Sequence, residues 1–166
     1  MSQTPAQTNS LIAPRAGWLT DDEQASWRAF LRMASSLPEQ FNRDLVDSHN
    51  MTLADYDVLV QLSEAPENQL RMSELALAVI ASRSRLSHQV DRLQRAGLVD
   101  RVPCAEDGRG FYARITEEGL GILVAAAPDH VDSVRQHLVD VLTPTEFAEF
   151  GATCQKVVDH LFNTQQ

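Results

Sequence analysis

The sequence has little of what marks a metal centre, a disulfide-stabilised domain or a membrane protein. Its two cysteines, Cys104 and Cys154, are fifty positions apart, and neither belongs to a Cys-x-x-Cys pair or a matching histidine pattern. No run of about 18 apolar residues occurs, and the first seventeen residues lack a basic segment followed by a sustained apolar core. We therefore expect reduced thiols, no metal, no membrane association and a cytoplasmic location.

Signature motifs of common enzyme classes are also missing. The chain contains no Gly-x-Ser-x-Gly, no His-Glu-x-x-His and no Gly-x-x-x-x-Gly-Lys. The glycine-containing stretch 107–110 lacks the strand-to-helix context that phosphate binding needs. The sequence therefore predicts a protein that is not an enzyme and that uses no cofactor. Its 166 residues are enough for one domain with a real core.

Lysine is almost absent, because Lys156 is the only one and the other thirteen basic residues are arginines. The whole chain has a net charge of −9. Residues 71–114, however, contain eight arginines against five acidic residues, a net +3, which leaves −12 for the rest. The planar guanidinium group suits phosphate and guanine, so a basic face on an acidic body predicts one surface that binds nucleic acid.

Residues 81–116 have the pattern of a DNA-reading helix followed by a β-wing. Leu86, Val90 and Leu93 form one apolar stripe at helical spacing, and Ser82 is a predicted N-cap. The opposite face carries Ser84, Ser87, His88, Asp91 and Arg95. Hydroxyl and imidazole groups in the first two turns can hydrogen-bond to base edges and phosphates in a major groove. For the helix alone, an ordinary solvated surface helix is an equally good interpretation.

The predicted wing strengthens the DNA-binding interpretation. Residues 98–102 and 111–115 are β-prone runs around a turn with two glycines, and Arg109 lies near its tip. An arginine on a thin hairpin can enter a minor groove, where negative potential is concentrated. The alternative is that Arg109 only pairs with Asp107 or Glu106 on the exposed turn.

These segments together resemble the MarR-type winged helix-turn-helix transcriptional regulators, over roughly residues 20–162. The resemblance rests on Met72-Ser-Glu-Leu-Ala76, the helix from Ser82 to Leu93, Gly97-Leu-Val99, Asp107-Gly-Arg109 and Ile115-Thr-Glu-Glu-Gly119. It implies a mainly α fold with a small two- or three-stranded β-wing, in which a winged helix-turn-helix DNA-binding head sits on a helical dimerisation platform. His88 stands where many members carry a basic residue, so no base preference is carried over.

The resemblance and the charge pattern together define the predicted organisation. The predicted DNA contacts are Arg71, Ser82, Arg83, Ser84, Arg85, Ser87, His88, Arg92, Arg95, Asp107 and Arg109. The predicted regions are a flexible N-terminal arm (1–18), an N-terminal dimerisation helix (19–50), the winged helix-turn-helix (51–116) and C-terminal dimerisation helices (117–166). Capping boxes at Thr20 to Glu23 and Thr143 to Glu146 mark two helix starts.

The last helix carries an apolar stripe that is too large to leave in water. Its predicted dimer contacts are Phe147, Phe150, Val157 and Leu161. A homodimer would place two recognition helices on a pseudo-palindromic operator in double-stranded DNA, with half-sites about 34–36 Å apart. The alternative is that these helices only close a monomeric core.

The family resemblance also implies repression that is relieved by a small aromatic or phenolic effector. The candidate effector contacts are Trp27, Phe30, His49, Met51 and Tyr56, which offer apolar faces with a few polar tips. The alternative for Trp27, Phe30 and Tyr56 is an ordinary core position, with His49 in a solvated loop.

Two other functions compete with a ligand-responsive regulator. Cys104 lies at the wing near arginines that can lower a thiol pKa, which would suit a thiol-redox regulator, whereas Cys154 is interpreted as a small apolar core residue. A protein-interaction adaptor could keep the winged-helix shape without binding DNA. The adaptor does not require the segregation of arginines.

Overall fold

The computed structural model describes residues 17–104 and 110–163. The chain divides into two units, residues 1–36 and 37–166, and each is considered on its own. The helices are α1 (Asp21–His49), α2 (Leu53–Glu64), α3 (Met72–Ala78), α4 (Arg83–Arg95), α5 (Glu117–Val134) and α6 (Pro144–Asn163). The strands are β1 (Gln69–Arg71), β2 (Val99–Pro103) and β3 (Phe111–Ile115). Short 3-10 (Pro66–Asn68) and π-helical (Arg135–Val139) turns precede β1 and follow α5.

The predicted fold class is confirmed, because a mostly helical chain carries one small antiparallel sheet. The sheet has three strands in the order β1-β3-β2. Val99 pairs with Ile115 and Pro103 with Phe111, while Leu70 of β1 pairs with Ala113. The central strand β3 therefore joins the wing hairpin to the segment that leads into α3.

Local capping chemistry starts the helices where the sequence predicts. The Thr20 amide donates to Glu23 Oε2 at 2.7 Å, and the Glu23 amide donates to Thr20 Oγ1 at 3.3 Å. The same reciprocal pair joins Thr143 and Glu146 at 2.8 and 3.3 Å. The side chain of Ser82 accepts from the Arg85 amide at 3.3 Å, which confirms it as the N-cap of α4.

The predicted apolar stripe of α4 is buried, and this orients the helix. Leu86, Val90 and Leu93 pack in one core with residues of α2, α3, α5 and the sheet. Burying a leucine or valine side chain contributes roughly 1.5–3 kcal/mol. One face of α4 is therefore held against the core, and the opposite face remains outside.

Two predicted features fall wholly or partly outside the described residues. They are the wing contacts Asp107 and Arg109 and most of the predicted arm, residues 1–16. The predicted region boundaries stay predictions. No helix in the described part of the chain is long and apolar enough to cross a membrane.

Candidate nucleic-acid interface

The outer face of α4 presents most of the predicted base-reading side chains. Ser84, Arg85 and His88 are exposed, and Ser87 is half-buried. Ser82 is exposed too, but its hydroxyl oxygen already caps the helix. The first two turns of α4 therefore offer hydroxyl, guanidinium and imidazole groups to a ligand outside the chain.

Polar contacts with the start of α2 fix the position of α4. Gln89 Nε2 donates to the carbonyl of Ala54, and Arg92 Nη2 lies 2.5 Å from Asp55 Oδ1. Thr52 Oγ1 donates to the other carboxylate oxygen of Asp55 at 2.7 Å. Arg92 was predicted as a DNA contact, and its side chain is still 53% exposed. It therefore holds α4 on α2 while part of its guanidinium faces outward.

A second set of contacts ties α4 to the wing. Arg101 of β2 extends one nitrogen, Nη2, to Asp91 Oδ1 at 2.8 Å. The same nitrogen lies 3.2 Å from the carbonyl oxygen and 3.2 Å from the hydroxyl oxygen of Ser87. Arg101 Nε is buried and has no partner among the described residues. One guanidinium nitrogen of the wing thus makes three polar contacts with α4, in addition to the apolar packing between them.

The arginines of this region differ in the partners they have. Arg114 lies 3.7 Å from Asp100, and Arg71 Nε donates to the Tyr112 hydroxyl at 3.3 Å. Within the described part of the chain, Arg83 and Arg85 form no ion pair with a carboxylate. Both lie in the first turn of α4 and are exposed. Among the described residues of α4, they are cations that an anion such as a phosphate could reach.

Two arginine-rich depressions flank α4. The first, here the α4 groove, has a volume of about 550 Å³ and is lined by Asn42, Thr52, Arg85, His88, Arg92 and Arg95. The second, here the wing cleft, has a volume of about 480 Å³ and is lined by Arg71, Arg83, Ser87, Arg101, Cys104 and Gly110. Among the described residues, neither lining includes an acidic side chain. Both depressions therefore suit the polyanionic backbone of a nucleic acid.

Four residues of the α4 groove, Asn42, Thr52, Ala54 and Gln89, are not among the predicted DNA contacts. Neither Thr52 nor Asn42 carries a motif that indicates nucleic-acid binding. Asn42 Oδ1 accepts from the Leu53 amide at 3.0 Å, which joins α1 to the start of α2. No local motif marks Asn42, because its role depends on a contact eleven residues along the chain.

Comparison with known proteins agrees with this geometry. Residues 49–110 match the model of the MarR family. AbsC, a MarR family transcriptional regulator from Streptomyces coelicolor, is 42% identical to this chain, with a TM-score of 0.82. The match covers 88% of this chain and 98% of AbsC. The chain belongs to the MarR family of transcriptional regulators.

Two other relatives add detail to this assignment. Sco3205, a MarR family regulator from Streptomyces coelicolor whose crystal structure is a complex with DNA, is 42% identical, with a TM-score of 0.84. That match covers 90% of this chain and 92% of Sco3205. The transcriptional regulator PecS of Dickeya dadantii is 27% identical over 122 residues, which is 70% of each protein. The predicted family is confirmed.

The predicted effector residues of this MarR-family chain have different environments. Met51 and Tyr56 are buried in the core, as the alternative interpretation of Tyr56 expected. His49 is the last residue of α1, and its Nε2 lies 2.7 Å from Asp129 Oδ2. In the N-terminal unit, Trp27 and Phe30 are half-exposed and stack with ring centroids 5.6 Å apart. Their role in effector binding stays a prediction.

The C-terminal helix of this family member buries none of its residues within the chain. Val157 is 55% exposed and Leu161 is 56% exposed. The interpretation of Cys154 as a core residue is wrong, because it is exposed on the same helix. The predicted apolar stripe of α6 is present, but no described residue packs on this helix closely enough to bury the Cys154 thiol.

Proposed function

We propose that this chain is a sequence-specific transcriptional repressor that binds double-stranded DNA. α4 enters the major groove through its first two turns, and the wing carries Arg109 into the adjacent minor groove. Arg83 and Arg85 carry the proposal, because exposed guanidinium groups that pair with no carboxylate among the described residues are available for phosphates. The DNA complex of the relative Sco3205 supports it.

We propose further that the active species is a homodimer. The support comes from α6, a twenty-residue helix with an apolar stripe and no buried residue within its own chain. A second copy can cover this stripe and hold two recognition helices at the spacing of successive half-sites, about 34–36 Å. The operator is accordingly pseudo-palindromic.

Release of DNA is proposed to follow the binding of a small aromatic acid. Trp27 lies beside Trp18 and Arg28 in an open depression of about 530 Å³ within the N-terminal unit. The indole ring of Trp27 and the guanidinium group of Arg28 match the ring and the carboxylate of such a compound. Met51 and Tyr56 are buried, so contact with them would require the core to open.

The two competing functions receive less support. Cys104 is only 4% exposed, whereas oxidation of a thiol requires an accessible thiolate. An oxidant that releases DNA from the native protein but not from Cys104→Ser would favour the thiol regulator. An adaptor that does not bind DNA has no need for two arginine-lined depressions beside one helix.

Selection of bound duplexes from fragmented genomic DNA tests the proposal. Binding of the recovered duplex is then measured against salt concentration for the native protein, Arg85→Gln and Arg135→Gln. Each lost phosphate contact lowers the magnitude of the log–log salt slope by about 0.9. We expect this change for Arg85→Gln only, because Arg135 lies outside both depressions and pairs with Asp140 at 2.7 Å. Failure to enrich any sequence, or equal slopes for Arg85→Gln and the native protein, would contradict the proposal.

A further inference from the structure

The hydroxyl of Ser87 differs from those of four other helical serines in the structure. Ser26, Ser35, Ser48 and Ser63 each donate their hydroxyl proton to a carbonyl of their own helix, three or four residues back. Ser87 makes no such donation, and its oxygen instead accepts from Arg101 Nη2 at 3.2 Å. Its hydroxyl proton is therefore uncommitted among the described residues.

Arg101 is in turn held so that it reaches Ser87 from the wing side. Asp91 Oδ1 lies 2.8 Å from the same nitrogen, and the carbonyl oxygen of Ser87 accepts from it at 3.2 Å. The side chain of Arg101 is 26% exposed, and Ser87 lines the open wing cleft. An outside ligand can thus reach the Ser87 hydroxyl while the guanidinium group occupies the inner side of its oxygen.

We propose that Arg101 is a positioning residue for specificity, which makes Ser87 read the operator as a hydrogen-bond donor. The positive guanidinium group occupies one lone pair of the Ser87 oxygen and polarises the O–H bond, so donation by the proton is strengthened and acceptance at the oxygen is weakened. This proposal rests on the proposed DNA-binding function and adds a preference at one base pair of each half-site.

The four bases present different hydrogen-bonding groups to such a donor in the major groove. Guanine offers N7 and O6, adenine offers N7 and thymine offers O4, all of which are acceptors. Cytosine presents only its N4 amino group, which is itself a donor. Ser87 therefore discriminates against cytosine. We expect a single contact of this kind to change the binding affinity by about five- to tenfold.

The test compares operators that the native protein and its variants select from a randomised duplex library. The variants are Ser87→Ala, Arg101→Met, Arg101→Lys and the double variant Ser87→Ala with Arg101→Met. Ser84→Ala is the matched control, because Ser84 is an exposed serine on the same helix turn and forms no hydrogen bond with Arg101. The measured quantity is the relative affinity for each base at each position, separately from the overall affinity.

We expect Ser87→Ala and Arg101→Met to relax the discrimination against cytosine at the same position by about fivefold. In the Ser87→Ala background, Arg101→Met should change nothing further at that position. Arg101→Lys should restore part of the preference, because an ammonium group also donates. Ser84→Ala should leave that position unchanged.

Other outcomes would overturn the proposal. An unchanged preference in Arg101→Met would exclude a positioning role, and a further change in the double variant would make Arg101 a direct DNA contact. If Arg101→Met fails to fold, Asp91→Ala takes its place, because it removes the acceptor that holds Arg101 Nη2, and an unchanged preference in that variant likewise refutes the proposal. If the native protein selects no sequence at all, the proposed function itself fails.

Discussion

The packing of α5 against the end of α4 makes a strong prediction about Gly119. A methyl group at this position would press into the backbone carbonyl oxygen of Leu98 and lie 2.9 Å from Ile115 Cγ1. The Leu98 oxygen cannot easily retreat, because it accepts from the Thr116 amide at 3.0 Å. Thr116 is also fixed, since its Oγ1 donates to the Gly97 carbonyl at 2.7 Å. Gly119→Ala must therefore push α5 away from the sheet.

The expected size of the effect follows from two opposing contributions. Overpacking of a well-packed site costs typically about 1–3 kcal/mol and occasionally more. Alanine gains up to about 1 kcal/mol over glycine in a helix. A clash with backbone on one side belongs at the upper end of the first range, so we expect the free energy of unfolding to fall by about 2 kcal/mol.

Gly121 provides a matched control in the same helix. A methyl group there meets no atom within 4 Å, so Gly121→Ala should gain most of the helical preference, about 0.5–1 kcal/mol. For a chain of this size, each kcal/mol shifts the midpoint of thermal unfolding by about 2–4 °C. We expect a fall of about 4–8 °C for Gly119→Ala and a rise of a few degrees for Gly121→Ala.

Circular dichroism melts of both variants at one protein concentration measure this difference, since the stability of an oligomer depends on concentration. Urea titrations that keep the same slope would confirm that only stability has changed. If Gly119→Ala were as stable as Gly121→Ala, the close approach of α5 to Leu98 would be refuted.

Three further predictions concern assembly, effector binding and pH. Val157→Asp should give monomers or aggregates with lost operator binding, because burial of an unpaired charge costs several kcal/mol; a dimer of normal affinity by light scattering would place the interface elsewhere. An aromatic acid that weakens DNA binding should quench tryptophan fluorescence over the same concentration range, and Trp27→Phe but not Trp18→Phe should abolish the quench; a quench that survives Trp27→Phe would refute a contact between the effector and Trp27. Burial lowers the pKa of His130, and the nearby charge of Asp57 opposes this shift. The contribution of the neutral imidazole to the free energy of unfolding is therefore fully present above about pH 6.5 and is lost as the pH falls through the lowered pKa. His130→Phe should therefore lose less stability than the native protein between pH 7 and 5 in urea titrations, and parallel curves would refute this.

The elements themselves were accessible to sequence analysis because their signals are local. The reciprocal bonds of Thr20 with Glu23 and of Thr143 with Glu146 span three residues. The stripe of Leu86, Val90 and Leu93 follows from the helical period alone. The family resemblance added the order of the elements, and with it the mainly α fold with a small wing.

Other features of the backbone had no signal in the sequence. Ile80, in the turn between α3 and α4, has a φ of +50°, a conformation that is costly for a β-branched residue. A glycine or asparagine would have marked such a turn, whereas isoleucine gives no indication of it. The third strand, β1, is only three residues long and exists through its pairing with β3.

The sequence by itself determined that a basic segment with the pattern of a DNA-reading helix lies within an acidic chain, because composition, helical period and capping depend on neighbouring residues. Only the tertiary structure decided which partner each arginine has. Arg92 pairs with Asp55, which is 37 residues away in the sequence, and Arg101 forms a hydrogen bond with Ser87, which is 14 residues away. Eight arginines and many acidic residues allow a large number of pairings, and the packing of α4 on α2 and on the wing selects among them. The same packing left Arg83 and Arg85 without a carboxylate in the described part of the chain, with Arg83 on the wing side of α4 and Arg85 on the side of the α4 groove.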